Sequence, residues 1–305
     1  MDSMACWDRI TAEFHLIKSS SFTNTMTSAS LACLRPISRN ESPMTTSQPV
    51  LQIKNLTKHY GGVKALTDAN FRLLPGEHAA IVGDNGAGKS TFVRLITGVE
   101  QPNSGDITLD RQSVHFSSPL DARDQGIETV YQTLALAEDL DVPANIFLGR
   151  EITRLSLGPL SVLNHKAMRE QSASMLSTTG VKIQDMSESL RGMSGGQRQC
   201  VAIARAAGFA KKLIILDEPT AALGVAETAR VEQIIKGLKQ QGIPLIIISH
   251  NLRQVFDLVD RIWVFRQGRI ICSRLTRETN PEEIVGLITG AIDPATLTSE
   301  EAVAC

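Results

Sequence analysis

The chain has 305 residues, 42% of them hydrophobic, with 31 basic against 32 acidic side chains and a formal net charge of −1. That length supports one substantial core or two small ones, so the expectation is a single large α/β domain with an embedded subdomain. No bulk basic excess is present to neutralise phosphates, which argues against nucleic acid as a main partner. Five cysteines (Cys6, Cys33, Cys200, Cys272 and Cys305) form no close pair and leave one over, against a disulfide framework or a zinc site and in favour of a reducing compartment. No apolar run approaches the ~18 residues that cross a bilayer, so a membrane role is expected to come through a partner.

Residues 1–48 are rich in Ser and Thr, lack regular periodicity and carry scattered charge of both signs. They read as a disordered extension, or as the product of a misassigned start with Met44 the true first residue. From Val50 onward apolar runs recur between turn residues. Strands are predicted over 50–55, 69–74, 78–83, 106–109, 127–131, 213–217, 243–249, 261–266 and 269–273. Helices are predicted over 88–97, 163–180, 195–208, 225–241 and 251–258, with a short amphipathic helix over 281–288 in a loose C-terminal tail, 276–305. The fully apolar runs Leu213-Ile214-Ile215-Leu216 and Leu245-Ile246-Ile247-Ile248 suit a sheet covered by helices on both faces.

The stretch Gly83-Asp84-Asn85-Gly86-Ala87-Gly88-Lys89-Ser90-Thr91 is a glycine, four residues, then Gly-Lys-Ser, between a predicted strand and a predicted helix. Its glycines let successive N–H groups turn inward at phosphate oxygens, and the new helix adds its positive N-terminal end. The pattern predicts a nucleoside triphosphate site in which Lys89 reaches the β and γ phosphates and the Ser90 hydroxyl meets Mg²⁺. Farther on, the apolar strand 213–216 ends in Asp217-Glu218. Beside a phosphate loop those two acids suit a Mg²⁺ ligand and a group that polarises the attacking water. Taken alone they would read as a helix cap. Met193-Ser194-Gly195-Gly196-Gln197 opens another predicted helix, so Ser194 and the two glycines form a second anion-ready helix start.

In this combination and order, the chain resembles the ATP-binding-cassette (ABC) ATPases over about residues 50–275. The resemblance implies an α/β fold: a P-loop NTPase core of RecA-like type over 49–275, with an antiparallel β subdomain and an inserted α-helical subdomain at about 133–192. It also implies roles. Tyr60 looks like the aromatic that stacks on adenine, Gln132 like the glutamine that touches Mg²⁺ and water, and His250 like the switch histidine at the γ-phosphate. Gly83, Asn85, Gly86, Gly88, Lys89, Ser90 and Thr91 would hold one ATP, whereas Ser194, Gly195, Gly196 and Gln197 would cover the ATP of a second copy. Ser90, Gln132 and Asp217 are the expected Mg²⁺ contacts, and Glu218, Gln132 and His250 the expected catalytic set. Met193 replaces the leucine usual at the start of the signature, and Gly224 stands where the family generally has an aspartate.

Ala222-Leu223-Gly224-Val225 and the segment from Tyr131-Gln132 through Leu140 to Arg150 look like cassettes that energise monosaccharide uptake of the ribose, xylose and fructose type. The implied protein is a homodimeric ATPase on the cytoplasmic face of the inner membrane. It would dock on a separate transmembrane permease and work indirectly with a periplasmic sugar-binding protein. The rival is a soluble cassette ATPase acting on DNA or ribosomes. Such proteins usually carry two cassettes with a charged linker, or a long coiled-coil insertion, and the sequence offers neither.

Overall fold

A computed structural model describes residues 48–155 and 161–297. The expected N-terminal extension therefore lies almost entirely outside the described residues, as does the end of the expected tail.

The described chain opens with a hairpin of β1 (Leu51–Tyr60) and β2 (Val63–Leu73), turned at Gly61-Gly62. Both strands run longer than predicted, because their outer ends Lys58-His59-Tyr60 and Val63-Lys64 are polar or exposed and give no apolar pattern. β3 (His78–Gly83) follows, then α1 (Lys89–Ile96), β4 (Ser104–Leu109), β5 (Gln112–Val114), α2 (Pro119–Asp124) and β6 (Ile127–Val130). Next come α3 (Val142–Ile146), the small hairpin β7 (Thr153–Leu155) and β8 (Val162–Leu163), and α4 (His165–Thr178). The chain continues through α5 (Gly195–Phe209), β9 (Leu213–Asp217), α6 (Val225–Gln240), β10 (Leu245–Ile248), α7 (Leu252–Leu258), β11 (Arg261–Arg266), β12 (Arg269–Leu275) and α8 (Pro281–Thr289). Every predicted strand and helix has a counterpart, with ends that differ by a few residues. β5, α2, α3 and the β7–β8 hairpin had no sequence forecast.

β2, β1, β4 and β5 form an antiparallel sheet in that order. The second sheet has the order β12-β11-β3-β10-β9-β6, parallel throughout except for the edge strand β12. Its central strands alternate strictly. Ala80, Val82, Ile214, Leu216, Leu245, Ile247, Ile262 and Val264 face one core with α5, α6, α7 and α8. Ala79, Ile81, Leu213, Ile215, Ile246, Ile248, Trp263 and Phe265 face the other, with α1 and the antiparallel sheet. A parallel sheet buried on both sides needs continuously apolar strands, as 213–216 and 245–248 supply. Between β6 and α5, α3 and α4 pack against each other and on α5. That is the region expected to be a helical subdomain, and it also carries a two-stranded hairpin.

Candidate functional site

β3, β10 and β9 are parallel neighbours, so their carboxyl ends come together on one edge of the sheet, where ligands of open α/β sheets bind. β3 ends in the loop from Gly83 to Gly88, and α1 starts at Lys89 with Gly88 as its N-cap. Gly88 has φ 100°, and a Cβ there would meet the Ala65 carbonyl oxygen at 2.8 Å. At Gly83 a Cβ would lie 2.3 Å from the Phe265 carbonyl oxygen. Any side chain at either position would push the loop off the sheet, so Gly83 and Gly88 are fixed by packing as well as by turn geometry, whereas Gly86 has open space around it. The Lys89 ammonium donates to the Gly83 and Asp84 carbonyls at 2.6 and 2.9 Å, which folds it across the mouth of the loop. Burial pulls its pKa down, opposed by the carboxylates of Glu218, Asp84 and Asp217.

β9 delivers Asp217 and Glu218 to the same edge. Burial and then the neighbouring Glu218 raise the Asp217 pKa, and Lys89 opposes both. Glu218 has a left-handed backbone, φ 50°, pinned by its N–H to the Ile248 carbonyl at 2.9 Å. A non-glycine residue held there stores about 1–3 kcal/mol of strain, which the surrounding strands sustain. The turn aims the carboxylate into the cleft, with Oε1 2.9 Å from Nδ1 of His250. The contact is a hydrogen bond when Nδ1 carries the proton. His250 is exposed and Glu218 is not, with 77% and 17% of their side chains accessible, so the histidine lies over the carboxylate from the solvent side.

Gln132 sits in the loop after β6. Leu134 and Ala135 in this loop are left-handed, with φ 59° and 47°. Their carbonyls accept from Arg205 of α5 at 3.3 and 3.2 Å, which ties the loop to that helix. A cleft of about 740 Å³ is lined by the phosphate loop from Gly83 to Thr91 without Ala87, and by Gln132, Asp217, Glu218, Ile248 and His250. Val63, Lys64 and Ala65 of β2 complete it. Those three escaped sequence reasoning because an exposed hairpin end carries no chemical motif.

Tyr60 does not line this cleft. It is 43% exposed, its hydroxyl donates to Glu100, and the Lys58 ammonium lies 5.3 Å from its ring centroid. Ser194, Gly195, Gly196 and Gln197 also lie outside it. They begin α5, where the Ser194 hydroxyl oxygen accepts from the Gln197 N–H at 3.2 Å and Gln197 Oε1 accepts from the Ser194 N–H at 2.8 Å. A second groove of about 340 Å³ runs from Gln132 past Gly195 to Ala221, Ala222 and Leu223, so Gln132 borders both hollows. Glu227, which accepts from Ser194, was not foreseen. Its signal in the sequence is an acid three residues after Gly224, the capping-box position of α6.

The arrangement offers a glycine loop at a helix start and a lysine for phosphates, and hard oxygen donors for a metal. No helix among the described residues is long and apolar enough to cross a membrane. Residues 66–221 match the family described as ABC transporter. The chain is 44% identical over 250 residues to the fructose import ATP-binding protein FrcA of Rhizobium meliloti, covering 81% of this chain and 96% of that protein. It is also 44% identical to the xylose/arabinose import ATP-binding protein XylG of Sulfolobus acidocaldarius, covering 79% of this chain and 94% of the other. Against the ribose import ATP-binding protein RbsA 2 of Streptomyces avermitilis it is 38% identical over 79% of its own length and 47% of the relative's. Among solved structures, the ADP conformation of MJ1267, an ATP-binding cassette of an ABC transporter, aligns with TM-score 0.67 and 26% identity over 79% of this chain and 95% of that one. The cbiO1 protein of Clostridium perfringens, part of the ABC transporter complex cbiONQ, aligns with TM-score 0.66 and 28% identity over 78% and 92%. The fold, the phosphate loop and these likenesses agree: the chain belongs to the ABC transporter family, as one of its ATP-binding, ATP-hydrolysing cassettes.

Proposed function

We propose that this chain is the ATPase subunit of an importer for a monosaccharide, working at the cytoplasmic face of a membrane beneath a permease made of other chains. The observation that carries this reading is the cleft at the ends of β3, β9 and β10, in a chain that matches a fructose and a xylose/arabinose import protein over nearly their whole length. The relatives' names give no support to an ATPase acting on DNA or ribosomes.

In this reading the loop N–H groups and the Lys89 ammonium hold the β and γ phosphates. The donor set suits Mg²⁺: the Ser90 hydroxyl, the half-buried Asp217 carboxylate and the Gln132 amide oxygen are hard oxygen ligands, too few for a cage without phosphates and water. When bound, the ion would supply positive charge against the phosphates. Glu218 orients and polarises water at the γ-phosphate, and His250, within hydrogen-bond reach of Glu218, fixes that carboxylate and contacts the γ oxygens. Tyr60 is exposed and held by Glu100 through its hydroxyl, and in this reading its ring stacks on adenine once the nucleotide binds.

The Ser194–Gln197 turn, outside its own cleft, serves the ATP of a second copy. One helix start cannot easily reach phosphates already cradled in its own loop, so two copies form two equivalent shared sites, which ATP holds together and hydrolysis releases. The permease docks on the 133–192 region, and a periplasmic binding protein delivers the sugar to it.

Glu218→Gln is expected to lose about 10²–10⁴ in MgATP turnover and to form a dimer with MgATP in light scattering. A variant that binds MgATP and stays monomeric refutes the shared site. For the cargo, uptake of labelled fructose, xylose and ribose is compared in cells with and without the chain, and loss of at least one is expected. Unchanged uptake of every pentose and hexose tried refutes the sugar reading while leaving the ATPase intact.

A further inference from the structure

Glu227 is the third residue of α6, and its carboxylate bridges the starts of two helices. Oε2 accepts from the Gly224 N–H at 3.3 Å, on its own helix. Oε1 accepts from the Ser194 hydroxyl at 2.7 Å and from the Gly196 N–H at 3.4 Å, both at the start of α5. The side chain lies against Gly196 so closely that a Cβ there would come within 2.7 Å of its Cβ, Cγ and Cδ. The glycine at 196 thus leaves a seat, and Glu227 fills it.

These are the donors that a partner's γ-phosphate requires in the shared site. A serine hydroxyl has one proton. At Ser194 that proton goes to Glu227, because the lone pairs are what receive the Gln197 N–H. Two anions cannot share the turn without mutual repulsion. We propose that Glu227 is a positioning residue that occupies the phosphate-binding donors of the Ser194 turn in the separated subunit and yields them to the partner's nucleotide as two subunits close.

The carboxylate keeps the turn aimed and ordered, and its departure is the step that closure must drive. Hydrogen bonds from Ser194 and from the Gly224 and Gly196 N–H groups, with Arg230 nearby, hold its pKa below the usual carboxylate range, so it stays an anion. Arg230 lies three residues along α6 and is the cation to which the released carboxylate can turn. Because Oε2 is bound at Gly224, release is felt in the loop 220–224 as well. There the family's usual aspartate is missing, and in this chain Glu227 supplies the link between that loop and α5.

The inference rests on the shared-site reading, so it is tested in the Glu218→Gln background, with the ATP concentration that half-dimerises the chain measured by sedimentation velocity in Mg²⁺. Adding Glu227→Gln removes the competing charge and is expected to lower that concentration about five- to ten-fold, the low end of an ordinary coupling between sites. The affinity of the dilute monomer for a fluorescent ATP analogue is expected to stay the same, which a merely structural role would not guarantee. Glu227→Asp keeps an acid at the α6 cap but is one methylene too short to reach Ser194. It is expected to shift the midpoint the same way, and it stands in if Glu227→Gln folds poorly. An unchanged or raised midpoint in folded variants overturns the proposal while the shared site stands. If neither the Glu218→Gln chain nor the double variants dimerise with ATP, the shared-site reading fails and this proposal falls with it.

Discussion

His78 starts β3 with no accessible surface, a titratable ring at the base of the strand that carries the phosphate loop. Its Nε2 is 3.1 Å from the Ile243 carbonyl, an acceptor only, so that nitrogen carries the proton of the neutral ring. Burial and then nearby Lys239 push its pKa from 6.5 down to about 4, against the pull of that carbonyl and of Asp260. Above pH 6.5 the ring is neutral in folded and unfolded chain alike, and it costs nothing. As pH falls from 6.5 towards 4 the unfolded chain takes up a proton that the folded one refuses, so stability declines. The loss is about 2 kcal/mol at pH 5 and at most about 3 kcal/mol once both forms are protonated. Urea unfolding of the wild type and His78→Gln at pH 7.5 and pH 5 checks this, since the wild type should lose about 2 kcal/mol more than the variant. Equal losses would mean that the ring is protonated in the fold. In the sequence His78 is only the first letter of an apolar run. The residues with legible chemistry are those whose type and spacing recur for a mechanical reason, such as Gly83, Gly88 and Lys89. Glu227 and Val63 matter through neighbours distant in the chain, which a one-dimensional reading does not supply.

At the scale of elements, one buried side chain gathers the first turn of the region between β6 and α5. Asn145, fully buried in α3, accepts the Ala137 N–H at 2.8 Å and donates to the Ala137, Leu140 and Asp141 carbonyls at 2.9, 3.1 and 3.0 Å. A five-residue helix cannot sustain itself, so this amide, with the Asp141 cap on the Ala144 N–H, does what helical propensity does not. Asn145→Ala leaves the Ala137 N–H without its partner and takes a second donor from three carbonyls that keep their backbone bonds, and it is expected to cost about 1–3 kcal/mol, seen as a lower urea midpoint and faster amide exchange over 137–147. Exchange that quickened evenly along the chain would show that the loop does not open by itself. The same shortness explains what periodicity missed. α2 and α3 have six and five residues, and only their caps, Ser118 with Asp121 and Asp141 before Pro143, announce them. β9 and β10 are plain in the sequence because both faces are buried. The outer halves of β1 and β2 are not, since register shifts break their alternation.

For the whole molecule, the two apolar cores lie on opposite faces of one six-stranded sheet, and neither can lose its side of β3, β9, β10 or β11 without exposing the other. The described residues belong to one compact unit, and its cooperativity should follow from that shared wall. Trp263, 1% exposed in the core under the antiparallel sheet, reports one face, while far-UV circular dichroism weights the helices on the other. Their thermal transitions are expected to coincide. Nucleotide should move both together, because the phosphate loop is continuous with β3 at the centre of the sheet. At about 100 times its Kd, MgATP adds about 2.7 kcal/mol to a chain that binds it only when folded. In Glu218→Gln, whose slow turnover under the proposed role of Glu218 would spare the ligand, that is a rise of about 5–10 °C in Tm for a unit of this size. Lys89→Ala in the same background removes the ammonium that spans the loop and is expected to abolish most of the rise at equal ATP, with an unliganded Tm within a few degrees of the parent. If ATP raised the helical signal's transition and left that of Trp263 behind, the sheet would not be the shared wall, and the region between β6 and α5 would melt as a unit of its own.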